Sequence, residues 1–134
     1  MAFEIPVLIV GLKAASDMDA ASCQFAFVKQ ASNGDVHLCT AATDIPIGVL
    51  QNLPKRAATA EVLMCGVTKL RVGATDITAP GLVGTDATSR AAAYVAGTAT
   101  TSYLVGRTIK VDNADNDGRV VTAAINCLSV ARGA

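Results

Sequence analysis

Short runs of β-branched and apolar residues recur along the chain, broken by Gly, Pro, Asn and Asp, and no window sustains a three-four helical spacing. This pattern predicts a mainly β protein. Strands are expected at Glu4 to Lys13, Phe25 to Lys29, Val36 to Cys39, Ile47 to Gln51, Ala60 to Val67, Lys69 to Val72, Leu82 to Thr85, Tyr103 to Val111 and Arg119 to Leu128. Asn33-Gly34 and Asp117-Gly118 tolerate positive φ and predict tight turns. Pro46, Pro54 and Pro80-Gly81 interrupt pairing at the ends of apolar runs. Arg90-Ala91-Ala92-Ala93-Tyr94 has high helix propensity but little length, so one helical turn is expected there or at Asp17 to Ser22, with Asp17 as cap.

The runs also echo one another. Phe27-Val28, Ile47-Gly48-Val49-Leu50 and Ala60-Glu61-Val62 are followed by a second round in Leu82-Val83, Leu104-Val105-Gly106-Arg107 and Arg119-Val120-Val121. Gly48 and Gly106 lie 58 residues apart, as do Val62 and Val120, whereas Val28 and Val83 lie 55 apart. Two similar halves, neither with a complete core of its own, predict a small pseudo-symmetric β barrel or sandwich. The echo begins after residue 22, which divides the chain into an N-terminal arm and connector (1–22) and one β domain (23–134).

Length and charge narrow the functional classes. At 134 residues the chain suits one domain. Eleven Lys and Arg balance eleven Asp and Glu, and only 16% of residues are charged. Nucleic-acid binding needs clustered cations to neutralise phosphates, so no nucleic-acid partner is expected. A weakly charged, apolar surface points instead to burial against other proteins. Ile5 to Leu12 follows Glu4 rather than a basic stretch, contains Pro6 and is far shorter than a bilayer span, so neither a signal peptide nor a membrane anchor is expected.

Catalytic equipment is sparse. His37 is the sole histidine and lies in an alternating run, Asp35-Val36-His37-Leu38, without a nucleophile beside it. No serine elbow or phosphate-binding glycine loop occurs. Cys23, Cys39, Cys65 and Cys127 form no C-x-x-C pair and sit among apolar neighbours, as buried reduced thiols do. Asn113 to Gly118 opens like a calcium loop, with oxygen side chains at alternate positions and glycine at the sixth. The twelfth position is Ala124, where a bidentate Glu is required, and the flanks read as strands. No catalytic residue, metal or cofactor is therefore expected. A lysine-carrying β domain is an alternative, but Lys69 and Lys110 lie within apolar runs rather than at a hairpin tip.

The order Phe27-Val28, Asn33-Gly34, Ile47-Gly48-Val49-Leu50-Gln51-Asn52, Ala60-Glu61-Val62, Gly66-Val67-Thr68-Lys69, Ile77-Thr78-Ala79-Pro80-Gly81-Leu82-Val83, Asp86 and Leu104-Val105-Gly106-Arg107 resembles the capsid decoration, or cement, proteins of tailed bacteriophages. The likeness runs from about Cys23 to Leu128. The chain departs from it at Pro80, before Gly81, and at Thr88-Ser89-Arg90, where a glycine turn is expected. The resemblance implies a β-tulip-like domain on the outer surface of the virion head, made in the host cytoplasm. It also implies the major capsid protein as partner, and a homotrimer that holds the expanded shell against the pressure of packaged DNA. Many identical weak contacts would then add through multivalency. A head fibre or host-attachment module is the main alternative, but two Tyr, three Phe and no Trp leave few anchors for an independent receptor site.

One segment has its own expectation. Phe3, Glu4, Ile5, Pro6, Val7 and Leu8 read as an apolar strand outside the echo, an edge that needs a partner. These six residues are expected to pair by strand addition with a capsid subunit or a neighbouring protomer. The competing expectation makes Val7 to Leu12 an ordinary strand of its own domain.

Overall fold

The computed structural model describes residues 4–73, 77–97, 102–111 and 119–131. Over these described residues the fold is mainly β, a curled antiparallel sheet of nine strands. They are β1 (Ile5–Lys13), β2 (Phe27–Gln30), β3 (Val36–Leu38), β4 (Gly48–Leu50), β5 (Thr59–Arg71), β6 (Leu82–Thr85), β7 (Ala91–Ala93), β8 (Leu104–Lys110) and β9 (Val120–Asn126). The strands run in the order β3-β2-β4-β5-β9-β8-β6-β7, and β1 pairs with the other edge of β5.

That order reads the same from both ends once β2, β3, β4 and β5 are matched with β6, β7, β8 and β9, so the echo in the sequence has a structural counterpart. Val28 pairs with Gly48, and Val83 with Gly106. The Ala31-to-Asp35 loop closes through the Ala31 N–H donating to the Asp35 carbonyl at 2.8 Å, and Asp86 donates to Arg90 at the same distance. The spacing drifts along the chain. Gly48 approaches the Leu63 carbonyl and Gly106 the Ala124 carbonyl, so β5 and β9 match at 61 residues rather than the expected 58.

The arm is where the structure differs most from expectation. β1 is hydrogen-bonded along β5, from Ile5 opposite Val67 to Lys13 opposite Thr59. Moreover, β1 is the counterpart of the second half of β5. Ala14, just after β1, makes a parallel bridge to Val36, and Val72, just after β5, makes one to Ala91. The Ala15 N–H donates to Val36 and the Gly73 N–H to Ala91, both at 2.9 Å. Each half is thus a five-stranded curl closed by one parallel bridge, and β5 is the last strand of the first curl and the first of the second. Residues 4–22 belong to this body, since Ala14 and Met18 are buried in its core. The local reason is that alternate β1 side chains, Val10 and Leu12, find a core to enter.

Two apolar clusters fill the curls. Ala14, Met18, Val28, Val36, Leu50, Ala60 and Val62 fill the first. Leu70, Val72, Val83, Val105, Val121, Ala123 and Ile125 line the second, which also takes in Phe27, Val49 and Leu63 from the first half. The helical turn expected at residues 90–94 is instead β7, since Ala91, Ala92 and Ala93 pair with Thr85, Gly84 and Val83 and the ladder outweighs alanine's helix preference. A short 3-10 turn does occur at Ala21–Cys23, but no side chain caps it. Asp17 instead accepts the Arg56 N–H at 2.8 Å.

Candidate interaction surface

Paired residues on neighbouring strands share a face, so the ladders define what the sheet shows to solvent. One transverse row runs Ile5, Val67, Ala124, Arg107 and Leu82 across β1, β5, β9, β8 and β6. Val121, Ala123 and Ile125 point into the core, so this row lies on the outer face. Four strand spacings make it roughly 19 Å wide. At its β1 end several neighbouring apolar side chains are exposed: Ile5 is 58% exposed, Val7 74% and Ile9 45%, with Leu8 also exposed. Contiguous apolar exposure of this kind marks protein contact sites.

Of the six residues expected to make contact, Phe3 lies outside the described residues. Glu4 is tied down, its Oε1 3.4 Å from Lys69 Nζ, and that ammonium lies 5.4 Å above the Phe25 ring. Ile5, Pro6 and Leu8 sit opposite Val67, Gly66 and Cys65. The described members of this set therefore form no free arm: from Ile5 onward the strand is paired with β5, while Ile5, Val7 and Leu8 still present side chains to solvent. Gly66 makes this possible. It adopts φ +132°, and a Cβ there would lie 2.7 Å from Val7 N and 2.8 Å from the Ile5 carbonyl.

At the other end of the row lies a shallow trough of about 330 Å³, its lining including Leu82, Leu104, Arg107, Ala124 and Ile125. No motif marked it in the sequence. Its floor combines strands β6, β8 and β9, which only the register brings together.

His37 is half-buried on β3 opposite Lys29. Lys29 Nζ donates to Asp44 Oδ2 at 2.8 Å and to Thr40 Oγ1 at 3.1 Å, while the Thr40 and Ala41 N–H groups also reach Asp44. The hydrogen bond from Lys29, then those from the backbone, hold the Asp44 carboxyl at about 2. The cluster locks the loop between β3 and β4. Burial pushes the Cys39 and Cys127 thiols up to about 12, so both are protonated hydrophobes at neutral pH. Cys23 and Cys65 are half-buried, and all four cysteines are free thiols. No group of His, Cys, Asp and Glu among the described residues is arranged to hold a metal. The calcium-like run, residues 112–118, lies outside the described residues. No protein-family model matches the chain, and no curated protein matches its sequence.

Proposed function

We propose that this chain is a structural decoration protein that binds the outside of an assembled tailed-phage head and holds the expanded shell against DNA pressure. The contact is with the major capsid protein and with further copies of the chain in a homotrimer. The observation that carries this reading is the bare apolar face of β1, paired along β5 with Val7 as its most exposed side chain. A strand face already paired within its own sheet loses less entropy on docking than an unpaired segment would. The low charge density suits burial against a protein shell, and the family resemblance supplies the shell's identity.

The test uses expanded heads prepared without the chain. Wild-type protein should saturate them, and Val7→Asp should bind at least about tenfold more weakly, since a carboxylate cannot enter an apolar contact without a partner. Its circular dichroism and melting point should match the wild type, because residue 7 faces solvent. Failure of the wild type to bind heads would remove the proposal. Equal binding by Val7→Asp would move the contact away from β1, and a protein that sediments only as monomer and sits on heads as isolated copies would remove the trimer.

A further inference from the structure

The repeated architecture allows the outer face to be compared with itself. In the first half a transverse row runs Ile9, Leu63, Val49 and Phe27 across β1, β5, β4 and β2. The equivalent row in the second half is Val67, Ala124, Arg107 and Leu82 across β5, β9, β8 and β6. Leu63, Val49 and Phe27 have no exposed surface, because they form part of the cluster that fills the second curl. Their counterparts reach solvent: Leu82 is 40% exposed, Arg107 is exposed and Ala124 is half-buried. One architectural surface is therefore a packing face in one half and open in the other.

The substitutions along the row are specific. Ala124 and Leu82 are smaller than Leu63 and Phe27, which opens the trough between β6, β8 and β9. Arg107 replaces Val49 and brings a guanidinium to a lining otherwise built of apolar side chains, glycine and Asn126. Among the described residues Arg107 has no ion-pair partner. A planar fork of donors beside an apolar depression complements a carboxylate next to an apolar side chain.

We propose that this trough is a second shell contact. It takes an extended segment of the capsid subunit whose apolar side chain enters the depression and whose neighbouring carboxylate pairs with Arg107. The inference rests on the decoration reading and deepens it, since it gives the partner a chemistry and separates two contacts on one face, β1 and the trough.

The experiment compares binding of wild-type, Arg107→Glu, Arg107→Lys and Leu82→Glu proteins to the same expanded heads, with sedimentation of the free proteins alongside. Arg107→Glu and Leu82→Glu should each weaken binding at least about tenfold, and Arg107→Lys, which keeps the charge but loses the fork, about threefold. Raising salt should weaken the wild type more than Arg107→Glu. All three variants should keep wild-type circular dichroism. Undiminished binding by Arg107→Glu, with the wild type and the β1 contact intact, would overturn the trough while leaving the function standing. A wild type that binds no heads would remove both. If Arg107→Glu instead changed the oligomeric state of the free protein, the trough's occupant would be a second copy of the chain and the proposal would fall.

Discussion

Asp44 shows how much one residue can do in a loop without regular structure. Its carboxylate collects the Lys29 ammonium and the Thr40 and Ala41 N–H groups. Its folded pKa, about 2, lies below the ordinary 3.8, so the charged form favours the fold. The resulting stability is present above the ordinary carboxylate range and is lost as pH falls from about 4 to 2. Asp44→Asn should therefore destabilise the protein at pH 7 by about 1 kcal/mol. It should also flatten the decline of stability between pH 4 and 2, as urea midpoints measured across that range would register. An unchanged acid slope would mean that Asp44 is not the group being titrated. Across the pseudo-symmetry a different residue-scale contrast appears. The turn after β2 places Gly34 at φ +92°, and the equivalent turn after β6 places Ser89 at φ +66°. The second half thus keeps the turn without the glycine, holding Ser89 in place through its hydroxyl, which donates to the Thr88 carbonyl, and through its own carbonyl, which accepts the Phe27 N–H at 2.7 Å.

At the scale of elements, β5 organises everything. It carries β1 on one edge and β4 followed by β9 on the other, and Gly66 is where β1 and β9 flank it together, with Pro6 on one side and Ile125 on the other. A methyl group at Gly66 would collide with the β1 backbone rather than with a yielding side chain. Gly66→Ala should accordingly cost about 2–4 kcal/mol and loosen the first residues of β1 in particular. Amide exchange should then accelerate at Val7 and Leu8 more than in β9; uniform acceleration would show that β1 is not the element displaced. Most of β5 was legible as two strands, Ala60 to Val67 and Lys69 to Val72, because its apolar alternation is strong. The break expected at Thr68 is absent, since its hydroxyl is buried against Gln51 at 3.1 Å and the strand passes through. β7 was illegible for the opposite reason. Three alanines carry a helical preference and no strand signal, and only the neighbouring β6 edge makes them a strand. The apolar character of β1 was plain in the sequence, but its partner was not, because pairing depends on a β5 register that no local pattern encodes. The trough was hidden for the same reason.

The echo of the two halves was visible in the sequence, and what it could not reveal is that the halves are unequal. The first curl is filled largely from within, by Met18, Val28, Val36, Leu50 and Val62 among others. The second is filled in part by Phe27, Val49 and Leu63, carried on the outer face of the first. These three side chains, all without exposed surface, are worth about 5–9 kcal/mol of burial together. That is comparable to the whole net stability of a typical domain, about 5–15 kcal/mol. The halves should therefore fold as one cooperative unit despite their repeated topology, with circular dichroism and tyrosine fluorescence reporting a single coincident unfolding transition. A fragment of residues 1–73 keeps every strand of the first curl yet leaves Phe27, Val49 and Leu63 facing water. It should show poor amide dispersion by NMR and associate with concentration, whereas the full chain gives one sharp set of signals. A fragment that folded alone as a sharp-lined monomer would show that the first curl is self-sufficient, and that its packing into the second contributes far less than the buried area implies.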